Sequence, residues 1–177
     1  MAIAFELVVN FGSEGDAARA ACDLARSAAA IPVGERTIRL HEPLLASTAG
    51  SDGGSYLELS VLPVGVGWGV VLDRGHEPVR LSAAELTTLG RALYDLLATF
   101  SGYQAAKVGW DPEWQIDLAE LRQDWADELA TGDPTLSGLV LAEAVLADLR
   151  GRRFVPFSPG FRWIPYLGEL SSTLTAG

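Results

Sequence analysis

Two hydrophobic periodicities alternate along this chain, and a sequence that switches between them satisfies both only by laying helices against a sheet. Ile3, Phe5, Leu7, Val9 and Phe11 recur at every second position, the repeat of a strand with one buried face. Gly12-Ser13 ends the run. Ser13 followed by Asp16 has the form of a helix N-cap with an acid in the first turn. It predicts a helix over about 14–29 whose inner face is Ala17, Ala20, Ala21, Leu24 and Ala28. Those mostly small side chains permit close approach to a sheet, and Pro32 to Gly34 stops the helix.

The alternation continues downstream. Ile38 and Leu40 suggest a second strand, Ser47 to Ser55 a loop rich in Gly and Ser, and Tyr56 to Leu62 a third strand. Val66 to Leu72 reads as a fourth, paired with the third as a hairpin, with Gly67 and Gly69 marking a bulge or a close backbone approach. Ser82-Ala-Ala-Glu85 is a capping box. The stripe Leu86, Leu89, Leu93, Leu96, Leu97 and Phe100 follows it at spacings of three and four, and Gly102 can take the left-handed position that stops a helix. A fifth strand, Tyr103 to Val108, comes next. Ile116 to Ala130 reads as a helix with Leu118, Leu121, Trp125 and Leu129 inward, and Asp133-Pro134 as the start of another. The aromatic tail, Phe154 to Tyr166, contains three prolines and is expected to be extended.

This order resembles a ferredoxin-like split βαβ core with an added strand. The expectation is a single α+β domain over 1–177, with an antiparallel or mixed sheet and helices on one face. The core covers about 1–110, and a helical and aromatic C-terminal extension about 111–177.

Charge is distributed unevenly over a chain of net −10. Residues 111–148 hold ten of the 23 acidic groups and one basic group, Arg122, whereas residues 149–177 hold four arginines and one acid. Counterion release from phosphates requires a basic stripe, so nucleic-acid binding is not expected. The start lacks a basic region ahead of an apolar run, and no apolar stretch approaches the roughly 20 residues of a membrane helix. A cytoplasmic protein is the expectation. Cys22 has no partner cysteine and reads as a small buried hydrophobe.

No cofactor motif is found. The run Gly65-Val-Gly67-Trp-Gly69 continues as strand rather than opening a helix, which points to hairpin glycines and not to a phosphate loop. His41 and His76 stand outside any zinc-ligand spacing, and GxSxG is absent. Two features remain. Asp111, Glu113 and Asp117 are close enough in sequence to form an oxygen-ligand cluster or the acid and base of a hydrolase, although helix-start chemistry also accounts for such acids. Glu120, Asp124, Asp127 and Glu128 extend that charge as a ridge along one helix, beside Trp110, Trp114 and the distant Trp163. Aromatic anchors rimmed by charge are what a docking hot spot contains.

The functional expectation is a non-enzymatic module, such as an inhibitor, antitoxin or immunity-like protein, that engages a basic protein partner. Its alternative is a small-molecule or metal-dependent hydrolase built on Asp111, Glu113 and Asp117, in a pocket walled by Trp110 and Trp163. A third possibility is intramolecular, the basic tail folding over the acidic segment.

Overall fold

The computed structural model describes residues 2–176. In chain order its strands and α-helices are β1 (Ile3–Asn10), α1 (Gly15–Ala28), β2 (Ala30–Val33), β3 (Arg36–Arg39), β4 (Leu44–Ala49), β5 (Ser55–Val61), β6 (Gly67–Trp68), α2 (Ala83–Leu97), β7 (Ala105–Trp110), α3 (Leu118–Gln123), α4 (Ala126–Thr131), β8 (Val140–Ala142), α5 (Glu143–Leu149), β9 (Val155–Ser158) and β10 (Phe161–Trp163). The protein is therefore α+β, with five α-helices and a large antiparallel sheet.

That sheet has the order β4-β5-β1-β7-β8-β10-β9, each neighbouring pair antiparallel, while β6 pairs with the start of β1. Two crossovers follow from this order. β1 and β4 run parallel with β5 between them and α1 in the connection; β5 and β7 run parallel on either side of β1, connected through α2. The strands of the C-terminal third, β8 to β10, extend the same sheet beyond β7. A separate hairpin, β2–β3, is inserted between α1 and β4.

Strand alternation divides β1 between two cores. Phe5, Leu7 and Val9 face α1 and α2, where they join Ala18, Ala21, Cys22 and Ala25 of α1 and Leu86, Leu89, Leu93 and Leu97 of α2. Val8 faces the opposite side and packs with Ile116, Leu121, Leu129, Leu136, Leu139 and Leu141. The capping box is present as read: the Ser82 hydroxyl accepts from the Glu85 N–H, and the Glu85 carboxylate accepts from the Ser82 N–H. Tyr94 of α2 binds the sheet backbone beside it, donating to the Gly138 carbonyl at 2.7 Å and accepting from the Val108 N–H at 3.1 Å.

Several elements differ from the sequence reading. The buried face of α1 is Ala18, Ala21, Cys22 and Ala25, and Leu24 is exposed; Ser13 does not cap the helix, which enters through Glu14. Pro32 lies inside β2, and Gly34 turns the hairpin with φ +59. Part of the Gly/Ser-rich segment is β4, an outer strand on which Ser47 is exposed and Thr48 half-buried. The fourth expected strand contracts to β6, which pairs with β1 instead of β5. Gly67 is required there because a Cβ would come within 2.9 Å of the Ile3 carbonyl oxygen. The helix expected over 116–130 is two short ones, α3 and α4, broken at Asp124–Trp125. The helix expected from Pro134 to Leu149 forms only at its end, as α5; at Pro134 there is a single 3-10 turn, because Gly138 at φ +82 redirects the chain and Val140–Ala142 pairs with both β7 and β10. No helix among the described residues is long and apolar enough to cross a membrane.

Candidate functional site

The second face of β1 carries Glu6, Val8 and Asn10, and all three are buried beneath the segment that follows β7. Burying an amide or a carboxylate is costly unless it finds a partner. Asn10 is fully matched: its Nδ2 donates to the Ile116 carbonyl and its Oδ1 accepts from the Gly12 N–H, both at 2.8 Å. Glu6 is not matched in this way. Only 5% of its surface is exposed, and the partner its carboxyl meets is another acid, Glu113, a contact that needs a proton on one of the two.

What Glu6 meets instead is more acid. Asp111, Glu113 and Glu6 each present one carboxylate oxygen, and these oxygens lie within 4.8 Å of one another. Asp111 ends β7 in the left-handed region at φ +43, a conformation that costs a non-glycine residue about 1–3 kcal/mol. Two hydrogen bonds hold it there: its N–H donates to the Ala4 carbonyl at 2.9 Å and its Oδ1 accepts from the Ala4 N–H at 2.8 Å. Glu113 opens the 3-10 turn Glu113–Gln115. Glu58 on β5 borders the group and takes a hydrogen bond from the Tyr56 hydroxyl at 3.2 Å.

No ion pair among the described residues involves any of these four carboxylates. Burial first, then the charge of Glu113 and a hydrogen bond to it, and then the charges of Glu58 and Asp111, push the Glu6 carboxyl up to about 8. Glu58 is raised as well, chiefly by burial. Across the β1–β7 ladder, Gly109 stands opposite Glu6. A Cβ built on Gly109 meets nothing within 4 Å, and its φ is not in the left-handed region. Neither crowding nor backbone geometry calls for glycine here, and its presence leaves a recess over the sheet beside the Glu6 carboxylate.

Asp117 lies elsewhere. Its Oδ1 accepts from the Ala119 N–H at 2.9 Å as the cap of α3, and its Oδ2 accepts from the Ser51 N–H at 2.7 Å. Burial pushes its carboxyl up, but these backbone N–H groups outweigh burial and hold it below the usual range. The triad Asp111, Glu113 and Asp117 therefore does not converge, and Glu6 takes the place given to Asp117. Trp110 and Trp163 do not wall this group either. Trp110 packs edge-on against Phe5 at 5.4 Å on the helix side, lining a 450 Å³ cavity with Trp68, Leu81 and Leu86. Trp163 packs on Tyr94 and Phe157, also on the helix side.

Trp114 follows Glu113 and is 46% exposed, resting on the half-buried Trp125 with ring centroids 4.9 Å apart. Glu120, Asp124, Asp127 and Glu128 lie on the two short helices around Trp125, with Asp127 and Glu128 in the first turn of α4, where the helix dipole favours acid. In this layer Arg122 pairs with Asp148 at 2.6 Å. Arg152, beyond the end of α5, reaches α4, its N–H donating to the Leu129 carbonyl. Yet none of Arg150, Arg152 or Arg153 forms an ion pair with these acids. The basic tail lies alongside the acidic helices without neutralising them.

His41 and Asp73 are joined at 2.7 Å, and Asp73 also accepts from the Gly65 N–H, which ties the 63–79 loop to the segment after β3. Gly65 sits at φ +77 with the Glu77 carbonyl 2.7 Å from where a Cβ would be, so it serves this loop and not a phosphate. Glu6 was the residue missed by sequence reasoning. The available signal is Leu7-Val8-Val9, three consecutive apolar residues in an otherwise alternating strand, which implies that both faces are covered. Set against models of protein families, curated proteins and solved structures, the chain finds no match in any of the three.

Proposed function

We propose that this protein is a non-enzymatic binding module that engages a basic protein partner through the acidic, tryptophan-bearing layer over 111–133, in the manner of an inhibitor, antitoxin or immunity-like protein. One observation carries the reading: Trp114 is exposed while packed on Trp125, amid acids that find no intramolecular cation. An aromatic anchor on a rigid support, rimmed by unpaired charge of one sign, suits a partner with the opposite charge. Asp124, Asp127 and Glu128 supply the rim; Asp117, spent on two backbone N–H groups, does not. A hydrolase on Asp111, Glu113 and Asp117 lacks its third carboxylate and receives no support.

The same reading takes the chain as one cytoplasmic domain without affinity for nucleic acid. The strand order β7-β1-β5-β4, with α1 and α2 on one face and two split crossovers, supports a ferredoxin-like core for the first 110 residues. The acidic layer is then an addition to its other face.

The test is retention of a basic partner from the native cell extract on immobilised protein, followed by measurement with the purified pair. Trp114→Ala should weaken binding by at least about 2 kcal/mol. Charge reversal at Asp124, Asp127 and Glu128 should slow association, as should added salt. Binding indifferent to all of these rejects the proposal.

A further inference from the structure

We propose that Glu6, Asp111 and Glu113 form a binding site for one divalent cation of the hard, oxygen-preferring class, Mg²⁺, Mn²⁺ or Ca²⁺, placed over Gly109 between the sheet and the turn that follows β7. The first support is distance. Oxygen ligands of such ions lie about 2.0–2.6 Å from the metal, so two ligands on opposite sides of one ion are roughly 4–5 Å apart. The three carboxylate oxygens fall within 4.8 Å of one another.

The second support is independent of the cluster's charge count. Glu6 is 95% buried, meets another acid, Glu113, and no cation among the described residues, and is held in place by a central strand whose neighbours on both sides are fixed. A side chain on the face of a middle strand cannot swing to solvent as a surface glutamate can. The third is space: the residue opposite Glu6 is a glycine whose missing Cβ leaves open volume. A buried acid facing two other acids across an open recess lacks a positive charge, and an all-carboxylate donor set selects hard cations over thiolate- or imidazole-preferring metals. Tyr56 already serves Glu58, which leaves that residue as a bordering charge.

A cation here would join the start of β1 to the 111–115 turn, and Glu113 is adjacent to Trp114. Metal binding is therefore expected to alter the fluorescence of the exposed tryptophan. This inference does not rest on the partner-binding proposal, since its test uses the protein alone.

The chelator-treated full chain is titrated by calorimetry with Mg²⁺, Mn²⁺ and Ca²⁺ separately, and its melting temperature and tryptophan emission are followed in parallel. At least one of these ions should bind with a stoichiometry of one and raise the melting temperature. Loss of an outer partner of a metal ligand typically costs about 10–100-fold in affinity, so Glu6→Gln, which removes a ligand charge, should cost at least about tenfold. Glu113→Gln, on the half-buried turn, should do the same and serves as the second variant should Glu6→Gln fail to fold. Asp117→Asn should leave affinity within about twofold. Absence of binding by all three ions at millimolar concentration overturns the proposal, leaving a proton shared between Glu6 and Glu113. So does binding that both glutamine variants retain.

Discussion

The two faces of the central sheet are buried by opposite means. On the helix side, Phe5, Leu7 and Val9 meet the alanines of α1 and the leucines of α2, and the core is apolar apart from buried hydroxyls such as those of Tyr94 and Tyr103. On the other side, Val8 and Ala105 share the sheet surface with Glu6, Asn10 and Lys107. Of the five buried polar or charged residues among those described, Glu6, Asn10, Gln115 and Asp117 belong to that second layer and its attachments. Apolar burial is non-directional and tolerates exchange at constant volume. Hydrogen bonds and buried charge do not, so the helix side sets most of the stability while the second side fixes how the segment after β7 lies on the sheet.

The largest effect is expected on the apolar side. Phe5 is wholly buried, and Phe5→Ala should lower unfolding free energy by about 3–5 kcal/mol in urea titration. The corresponding test of the polar side is Asn10→Leu. It adds apolar volume but strands the Ile116 carbonyl and the Gly12 N–H, and the loss should be about 2–3 kcal/mol at about 1–3 kcal/mol per unmet buried group. A neutral Asn10→Leu would mean that both faces are ordinary apolar core, and the contrast would fail.

The same difference explains what could be read in the sequence. The helix side was legible because it is built from local periodicity: alternation in β1, the capping box at Ser82 and Glu85, and the leucine stripe of α2. The second side depends on pairings distant in sequence. Asp117 reads as a helix-start acid, which it is, but its second oxygen serves Ser51, 66 residues earlier. Glu6 reads as the solvent face of a strand, since nothing nearby announces that residues beyond 110 return to cover it. The ridge read on one helix became two helices because the tertiary packing of Trp125 and Leu129 is satisfied by a broken path that local propensity does not encode. Val140–Ala142 reads as helix until β7 and β10 claim its backbone.

Asp117 offers an intermediate test. Asp117→Ala removes the cap of α3 and the anchor of the Ser51 turn together, and a cost of about 1–2 kcal/mol is expected, with protease sensitivity rising at residues 50–54. Asp117→Asn should recover part of it, because an amide oxygen still accepts one N–H. Equal loss in both variants would assign the effect to charge instead of capping.

The smallest effect, and the sharpest in sign, concerns Lys107, the chain's one lysine. It sits opposite Val8 on the second face, its Nζ donating to the Thr135 carbonyl at 3.4 Å. Burial lowers its ammonium from the ordinary 10.5 to about 8, against a weaker upward pull from Glu169. Between those two values the unfolded chain holds the proton that the folded chain has released, so this group makes stability rise with pH across that window. Below about 8 both states are protonated and the slope vanishes, leaving the folded state with the full cost of a poorly hydrated ammonium. Lys107→Met retains the aliphatic stem and removes the titration. Subtracting variant from wild type cancels every other ionising group, including the buried tyrosines whose hydroxyls burial raises above 10. The difference should favour the variant most at pH 7 and shrink steadily between pH 8 and about 10. A constant difference would mean that Lys107 is hydrated in the folded state, and that the second face of the sheet is open to water at that position.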